Sequence, residues 1–245
     1  MKLPVILLAT ALPGLALAAE MPAAPPPPAG AEGATSTDGT VARFTLAPDG
    51  RINGVLLDNG TEVHVPPRLA GLMQQVVQPG DNVHVQGWRT PTPGVLDAAS
   101  LTDARSRRAV SVPANPGLPP PAATAAQRHE TPRPLGLPSP GATETTLSGR
   151  VLQPLHDAGG AMDGALLGDG LQLRLPPHAA ARVAALLQPG TKVTAQGYRM
   201  ETPQGAVMSV QAIGASAEAL TQVAPGPAPP PAPAVAPAPS KPPGQ

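Results

Sequence analysis

The chain has 245 residues, of which 37 are proline and none is cysteine, and its 16 basic side chains balance its 16 acidic ones. Without cysteine there is no disulfide, thiol nucleophile or thiolate metal site. The balanced charge argues against a broad cationic footprint for nucleic acid or for an anionic membrane.

The N-terminus has the pattern of an export signal. Lys2 supplies a positive charge, and Val5–Leu12 forms a short apolar run ahead of small residues at Ala16 and Ala18. Such a run is too short to span a membrane, which disfavours an anchor. The pattern predicts a periplasmic or secreted protein with no transmembrane segment after signal removal.

Proline concentrates in three stretches, and most leucine and valine lies between them. Proline-rich segments favour extended polyproline II and need no core. The predicted organisation is a signal peptide (1–19), a disordered Pro/Ala-rich segment (20–38), a first folded domain (39–103), a Pro-rich linker (104–146), a second folded domain (147–215) and a disordered Pro/Ala-rich tail (216–245).

The two folded domains are copies of one repeat. Residues 39–93 align without a gap on residues 149–203, with about 19 of the 55 positions identical. The identities fall on glycines, prolines and apolar residues, which shape turns and fill cores. The repeat therefore predicts architecture rather than chemistry.

Within the first repeat, 40–46 has strand character and a turn cluster follows it. Asn59-Gly60 then separates two β-type runs and predicts a tight hairpin, because these residues tolerate positive φ angles. The second repeat places Asp169-Gly170 at the same point, which satisfies the same steric rule.

A short helix and two further strands complete each repeat. Pro66-Pro67 opens the helix, and its apolar face is expected to consist of Leu69, Leu72, Met73 and Val76. The order strand, strand, strand, helix, strand, strand is that of a five-stranded OB barrel. The sequence thus predicts a mostly β protein with two tandem OB-like barrels, each with one short helix, plus disordered proline-rich linkers.

The segments Asn59–Pro67 and Pro79–Gly87 resemble motifs of the forms DGTxVxxPP and PGDxVxxxG. These motifs recur in small exported bacterial proteins with OB-like domains. The resemblance implies an OB fold and an extracytoplasmic address, and it implies no activity.

Two histidines are weak candidates for a metal site. His64 and His84 alternate with valines on the third and fourth strands, so both are expected to face outward. A stable zinc site needs three or four ligands, and the second repeat has Arg174 and Thr194 instead. The sequence predicts no metal centre and no cofactor.

The candidate ligand-binding residues are an aromatic and an arginine in each repeat: Trp88 and Arg89, then Tyr198 and Arg199. Such a pair could stack a base or a sugar. The alternative is that each aromatic covers the end of its barrel.

Arg105, Arg107 and Arg108 form a basic cluster beyond the first domain. One interpretation docks the cluster on an anionic polymer. The favoured interpretation is a solvated segment of linker.

The chain contains no Gly-x-Ser-x-Gly elbow, Walker phosphate loop or His-Glu-x-x-His motif. The sequence therefore predicts a non-enzymatic exported binding or scaffolding protein of the cell envelope, with a protein, peptide or glycan as partner. The alternatives are a single-stranded nucleic-acid-binding OB protein, disfavoured by the low basic charge, and a metal-binding envelope protein.

The signal peptide generates the first testable prediction. Small residues at Ala16 and Ala18 fit the peptidase site, so the mature chain should begin at Ala19 or Glu20. N-terminal sequencing of protein from an envelope fraction measures this. An intact Met1 on cytoplasmic protein would contradict export.

Overall fold

The computed structural model describes residues 34–111 and 139–224. The predicted signal peptide, most of the linker and most of the tail lie outside the described residues, so these segments stay predictions. Within the two described ranges, no helix is both long and apolar enough to cross a membrane.

Each described range forms one β-barrel with a short helix. The first range contains β1 (Ala34–Leu46), β2 (Ile52–Leu57), β3 (Glu62–His64), α1 (Ala70–Val76), β4 (Asn82–Arg89), β5 (Val95–Asp103) and β6 (Ala109–Ser111). The second contains β7 (Thr143–His156), β8 (Met162–Leu167), β9 (Gln172–Arg174), α2 (Pro177–Arg182), β10 (Lys192–Thr202), β11 (Gly205–Gly214) and β12 (Thr221–Gln222).

Both sheets close on themselves in the same way. In the first, β1 pairs with β2 through its second half and with β4 through its first half, and β3 pairs in parallel with β5. In the second, β9 pairs in parallel with β11. This is the Greek-key order of an OB barrel, and it confirms the predicted fold class.

The predicted hairpin turns form as expected. Gly60 has φ of 83° and Gly170 has φ of 90°, values that side-chain-bearing residues rarely adopt. The main-chain N–H of Leu57 donates to the carbonyl of Thr61 at 2.9 Å, which closes the first turn. Turn chemistry alone was enough to place β2 and β3.

The helix packs on the barrel with a face that differs from the predicted one. Met73 and Val77 are fully buried, whereas Leu72 is 52% exposed. α1 has only two turns, and Val77 begins the extended segment after it, so the core is filled by the residue next to Val76. In the second barrel, Val183 and Leu187 take the equivalent buried positions.

In each barrel, a glycine on the second strand allows two main chains to touch. A Cβ atom added to Gly54 would overlap the carbonyl oxygen of Val63 on the neighbouring strand, and one added to Gly164 would overlap that of Leu173. The repeat retains glycine here because the strands need close backbone approach, not turn flexibility.

Each barrel also carries an extra edge strand that the sequence did not predict. β6 pairs with the end of β5, and Val110 on β6 is buried in the first core. β12 pairs with the end of β11, and the adjoining Val223 is buried in the second core. Residues 104–111, predicted to belong to the linker, are therefore an ordered turn and strand. The predicted domains are too short at other ends as well: β1 begins at Ala34 in the segment predicted to be disordered, β7 begins at Thr143 in the predicted linker, and β12 lies in the predicted tail.

The close approach at Gly54 predicts a large effect of a single methyl group. We expect Gly54→Ala to destabilise the mature protein by about 1–3 kcal/mol, because the strands must separate to admit the Cβ atom. Gly71→Ala is the control, since Gly71 lies on α1 with open space around it. Chemical denaturation of both variants measures the difference, and equal stabilities would contradict the close-approach argument.

Candidate functional site: the contact between the two barrels

The two barrels meet through the outer faces of their second and third strands. Leu56 on β2 packs against Leu155 and Leu166 of the second barrel in a small buried cluster. Val207 of β11 also joins the apolar core of the first barrel. In an OB fold, this face and the loops beside it hold oligonucleotides or oligosaccharides. Here each barrel occupies that face of the other.

A glutamine from β9 bonds the main chain of β1. Leu46 N–H donates to Gln172 Oε1 at 2.8 Å, and Gln172 Nε2 donates to the carbonyl of Phe44 at 2.9 Å. The register of β1 against β2 shifts between Thr45 and Leu46, which marks a bulge. A bulge leaves backbone groups without ladder partners, and the side chain of Gln172 satisfies them.

A glutamate from β3 makes the reciprocal contact. The main-chain N–H of His156 donates to Glu62 Oε2 at 2.9 Å, and the His156 ring nitrogen Nδ1 lies 3.2 Å from the same oxygen. The register of β7 also shifts between Leu155 and His156. Glu62 aligns with Gln172, and His156 aligns with Leu46, so the contact has approximate twofold symmetry.

An arginine of the second barrel adds a further hydrogen bond to the main chain of β1. Arg174 on β9 is 1% exposed, and its Nε donates to the carbonyl of Leu46 at 2.7 Å. Its Nη1 lies 2.5 Å from Asp163 Oδ1 on β8. Arg174 is therefore neutralised within its own barrel while it bonds the main chain of the other.

His64 corrects the expectation that both histidines face solvent. Its side chain does point away from the first core, but the second barrel covers it and leaves it 4% exposed. Its Nε2 lies 3.6 Å from Glu62 Oε1. Burial lowers the pKa of His64 to about 4, and the nearby charge of Glu62 only partly opposes this shift.

His84 remains partly exposed on β4, where its Nδ1 lies 2.8 Å from Asp38 Oδ1. The structure does not bring it beside His64, because β3 pairs with β2 and β5 rather than with β4. Across residues 34–111 and 139–224, no three histidine, aspartate or glutamate side chains are grouped to hold a metal ion.

Titratable groups at the contact have shifted pKa values, and the shifts have opposite effects on stability as pH changes. Burial raises the pKa of Asp163 to about 6 although Arg174 pulls it down, and burial together with the charge of Asp157 raises the pKa of Asp97 to about 6. A raised carboxyl pKa costs stability as pH rises toward 6. The lowered pKa of His64 costs stability as pH falls from 6.5 toward 4, so the two effects partly cancel.

Several polar atoms in the contact are imperfectly paired. Glu62 Oε1, His64 Nε2 and Arg174 Nη2 are buried and make no hydrogen bond with the described residues. Such groups weaken a buried contact while they restrict which surfaces can pair.

The two predicted aromatic and arginine pairs lie apart, one in each barrel. Trp88 sits opposite Asp97 on β5, and Arg89 Nη2 donates to Thr35 Oγ1 at 3.3 Å. Tyr198 sits opposite Ser209, and Arg199 pairs with Glu201 at 2.5 Å. Both arginines bond groups of their own barrel, and a ligand-binding role for the four residues stays a prediction.

Sequence reasoning missed Glu62, Gln172 and Arg174. A signal was present, because the third strand of each repeat carries polar residues at the two positions that flank its central apolar residue. Alternation of polar and apolar residues indicates a face away from the core, and it does not reveal whether that face meets water or another domain.

Comparison with known proteins assigns the chain to no family. No protein-family model and no curated protein matches the chain. It is similar to the solved wild-type single-stranded DNA binding protein from Thermus aquaticus, with 13% identity over 80% of this chain and 95% of that chain, at a TM-score of 0.20. A deletion mutant of the same protein matches with 12% identity over 72% and 90%, at a TM-score of 0.21. At these scores, the likeness carries no argument.

The bonds of Gln172 predict a stability difference. We expect Gln172→Leu to destabilise the protein by about 2–4 kcal/mol, because the Leu46 N–H and the Phe44 carbonyl would both stay buried without partners. Glu62→Gln should change stability by less than about 1 kcal/mol, since an amide keeps the acceptor for His156. Urea denaturation of the mature protein measures both.

The control is Gln75→Leu, which alters an exposed glutamine on α1 and should have an effect within about 0.5 kcal/mol. If Gln172→Leu were no more harmful than Gln75→Leu, the barrel contact would not depend on these hydrogen bonds.

Proposed function

We propose that this protein is an exported, non-enzymatic binding or scaffolding protein of the cell envelope. Its two barrels act as one unit, and its partner, a protein, peptide or glycan, binds a surface other than the strand face that OB folds usually present. The observation that carries the proposal is the mutual covering of the two strand faces, in which Gln172 and Glu62 each bond the opposite main chain.

The covered face argues against the alternative of single-stranded nucleic-acid binding. A strand binder needs a cationic groove and aromatic faces that stack successive bases. In this protein, the face holds Leu56, Leu155 and Leu166 in a closed apolar cluster, flanked by Glu62 and His64. A nucleic acid could reach it only if the barrels separated.

The non-enzymatic part of the proposal is supported by the character of the most buried polar groups. Each of these groups is hydrogen-bonded to the main chain of the opposite barrel. Gln172 and Arg174 donate to carbonyl groups of β1, and Glu62 accepts from the main-chain N–H of His156. A catalytic acid, base or nucleophile must reach a substrate, whereas these side chains lie under the other barrel. The sequence also lacks the common hydrolase and phosphate-loop motifs.

Nucleic-acid binding by the mature protein is the sharpest test. We expect no specific complex with labelled single-stranded DNA or RNA at micromolar protein and physiological salt, measured by fluorescence anisotropy. Trp88→Ala and Tyr198→Ala should leave that result unchanged.

A variant that weakens the barrel contact, Gln172→Leu, serves as the matched comparison. Binding by this variant alone would mean that the face can hold nucleic acid when uncovered, and the intact protein would still fit the proposal. Tight, salt-sensitive binding by the unaltered protein, lost on Trp88→Ala, would overturn it in favour of the nucleic-acid alternative.

A further inference from the structure

The turn between β5 and β6 is an ordered, strongly basic tip. Asp103 N–H donates to the carbonyl of Arg108 at 2.9 Å, and Arg107 N–H donates to the carbonyl of Asp103 at 2.9 Å. Ser106 N–H also donates to the Asp103 carboxylate. These hydrogen bonds to Asp103 fix the course of the chain through the turn.

The turn presents three arginines to solvent. Arg105, Arg107 and Arg108 are all exposed, and Arg105 lies close enough to Asp103 for its charge to lower the pKa of that carboxyl. Arg107 has φ of 56°, and it is the one described non-glycine residue with a positive φ. A left-handed backbone is costly for a residue other than glycine, so the surrounding turn holds Arg107 in this conformation.

Two carboxylates lie beside the tip and offset part of its charge. The Asp103 carboxylate accepts the hydrogen bond from Ser106, which lowers its pKa and keeps it negatively charged, and the charge of Arg105 acts in the same direction. Asp81 Oδ2 accepts from the main-chain N–H of Gln78 at 2.8 Å. Three exposed arginines against these two carboxylates leave an excess of positive charge at the tip, on a chain whose total charge is zero.

The second barrel has no such tip. Its corresponding connection, between β11 and β12, contains Ala217–Ala219 with the acidic Glu218 and no arginine. The basic tip is thus specific to one barrel. The tip follows the C-terminal end of β5. The N-terminal end of β5, at Val95, adjoins the loop in which Thr92 donates a hydrogen bond to the carbonyl of Gly160 in the second barrel. The nine residues of β5 separate the tip from the barrel contact by roughly 27 Å.

The shape of the tip favours a flat anionic surface over a nucleic-acid strand. A strand binder tracks phosphates along a groove and stacks bases on aromatic rings. The tip is a hairpin turn, and Arg105 lines a cleft beside it together with Gly80, Asp81, Asn82, Asp103 and Ala104, with no aromatic residue among them. An exposed cluster of arginines can approach the phosphates of a lipid surface without a groove.

We propose that the β5–β6 turn docks the first barrel on anionic phospholipid headgroups through Arg105, Arg107 and Arg108. The proposal rests on the proposed envelope location, where such a surface is available. An excess of one to three positive charges near an anionic bilayer raises partitioning by roughly 5- to 100-fold, and salt screens the attraction.

The test is sedimentation of the mature protein with vesicles. We expect binding to vesicles of phosphatidylglycerol and phosphatidylcholine in equal parts, no binding to phosphatidylcholine alone, and loss of binding as salt is raised. A triple variant with Arg105, Arg107 and Arg108 each changed to Gln should bind the anionic vesicles at least tenfold more weakly.

The matched control changes Arg68, Arg150 and Arg182 to Gln, which removes the same charge from exposed positions elsewhere. Its binding should fall less than threefold, and the urea midpoints of both variants should show that they are folded. No binding to anionic vesicles, or equal loss in both variants, would overturn the proposal. So would single-stranded DNA binding that depends on the same three arginines. N-terminal sequencing tests export separately, so failure of the location and failure of the docking are distinguishable.

Discussion

The arrangement of this molecule depends on two bulges whose backbone groups are bonded from outside their own sheet. The strand that opens each barrel is bulged near its end, at Leu46 and at His156. A bulge frees main-chain donors and acceptors that are costly to bury unpaired. The third strand of the opposite barrel supplies the missing partners through Gln172 and Glu62. Each barrel is therefore incomplete without the other in the hydrogen bonding of its own backbone.

The two halves of the contact have diverged although their geometry is the same. Gln172 both accepts from and donates to β1, whereas Glu62 as a carboxylate accepts from His156 only. Arg174 bonds Leu46, while the equivalent His64 is uncharged at neutral pH because burial lowers its pKa to about 4. Arg174 lies within electrostatic range of His64, so a pairing of two second barrels would bring two arginines together. The divergence favours the pairing of first with second barrel.

The fold could be predicted from the sequence because the repeat preserves the residues that only backbone geometry requires. Asn59-Gly60 placed the hairpin, and Gly54 and Gly164 recur because two main chains touch there. The contact between the barrels could not be predicted. The alternation of polar and apolar residues around His64 shows that its side chain points away from the core, but the same alternation occurs whether water or another domain covers that face. The basic turn was assigned to the linker for a similar reason: its order comes from bonds to the Asp103 main chain and side chain, which local composition does not reveal.

The scarcity of aromatic residues places the intrinsic fluorescence of this protein in one barrel. The chain has one tryptophan, Trp88, which lies on β4 of the first barrel opposite Asp97. Its indole N–H is buried without a hydrogen-bond partner among the described residues. Because indole emission shifts with local polarity, tryptophan fluorescence reports directly on the first barrel, and on the second barrel only through the contact between them.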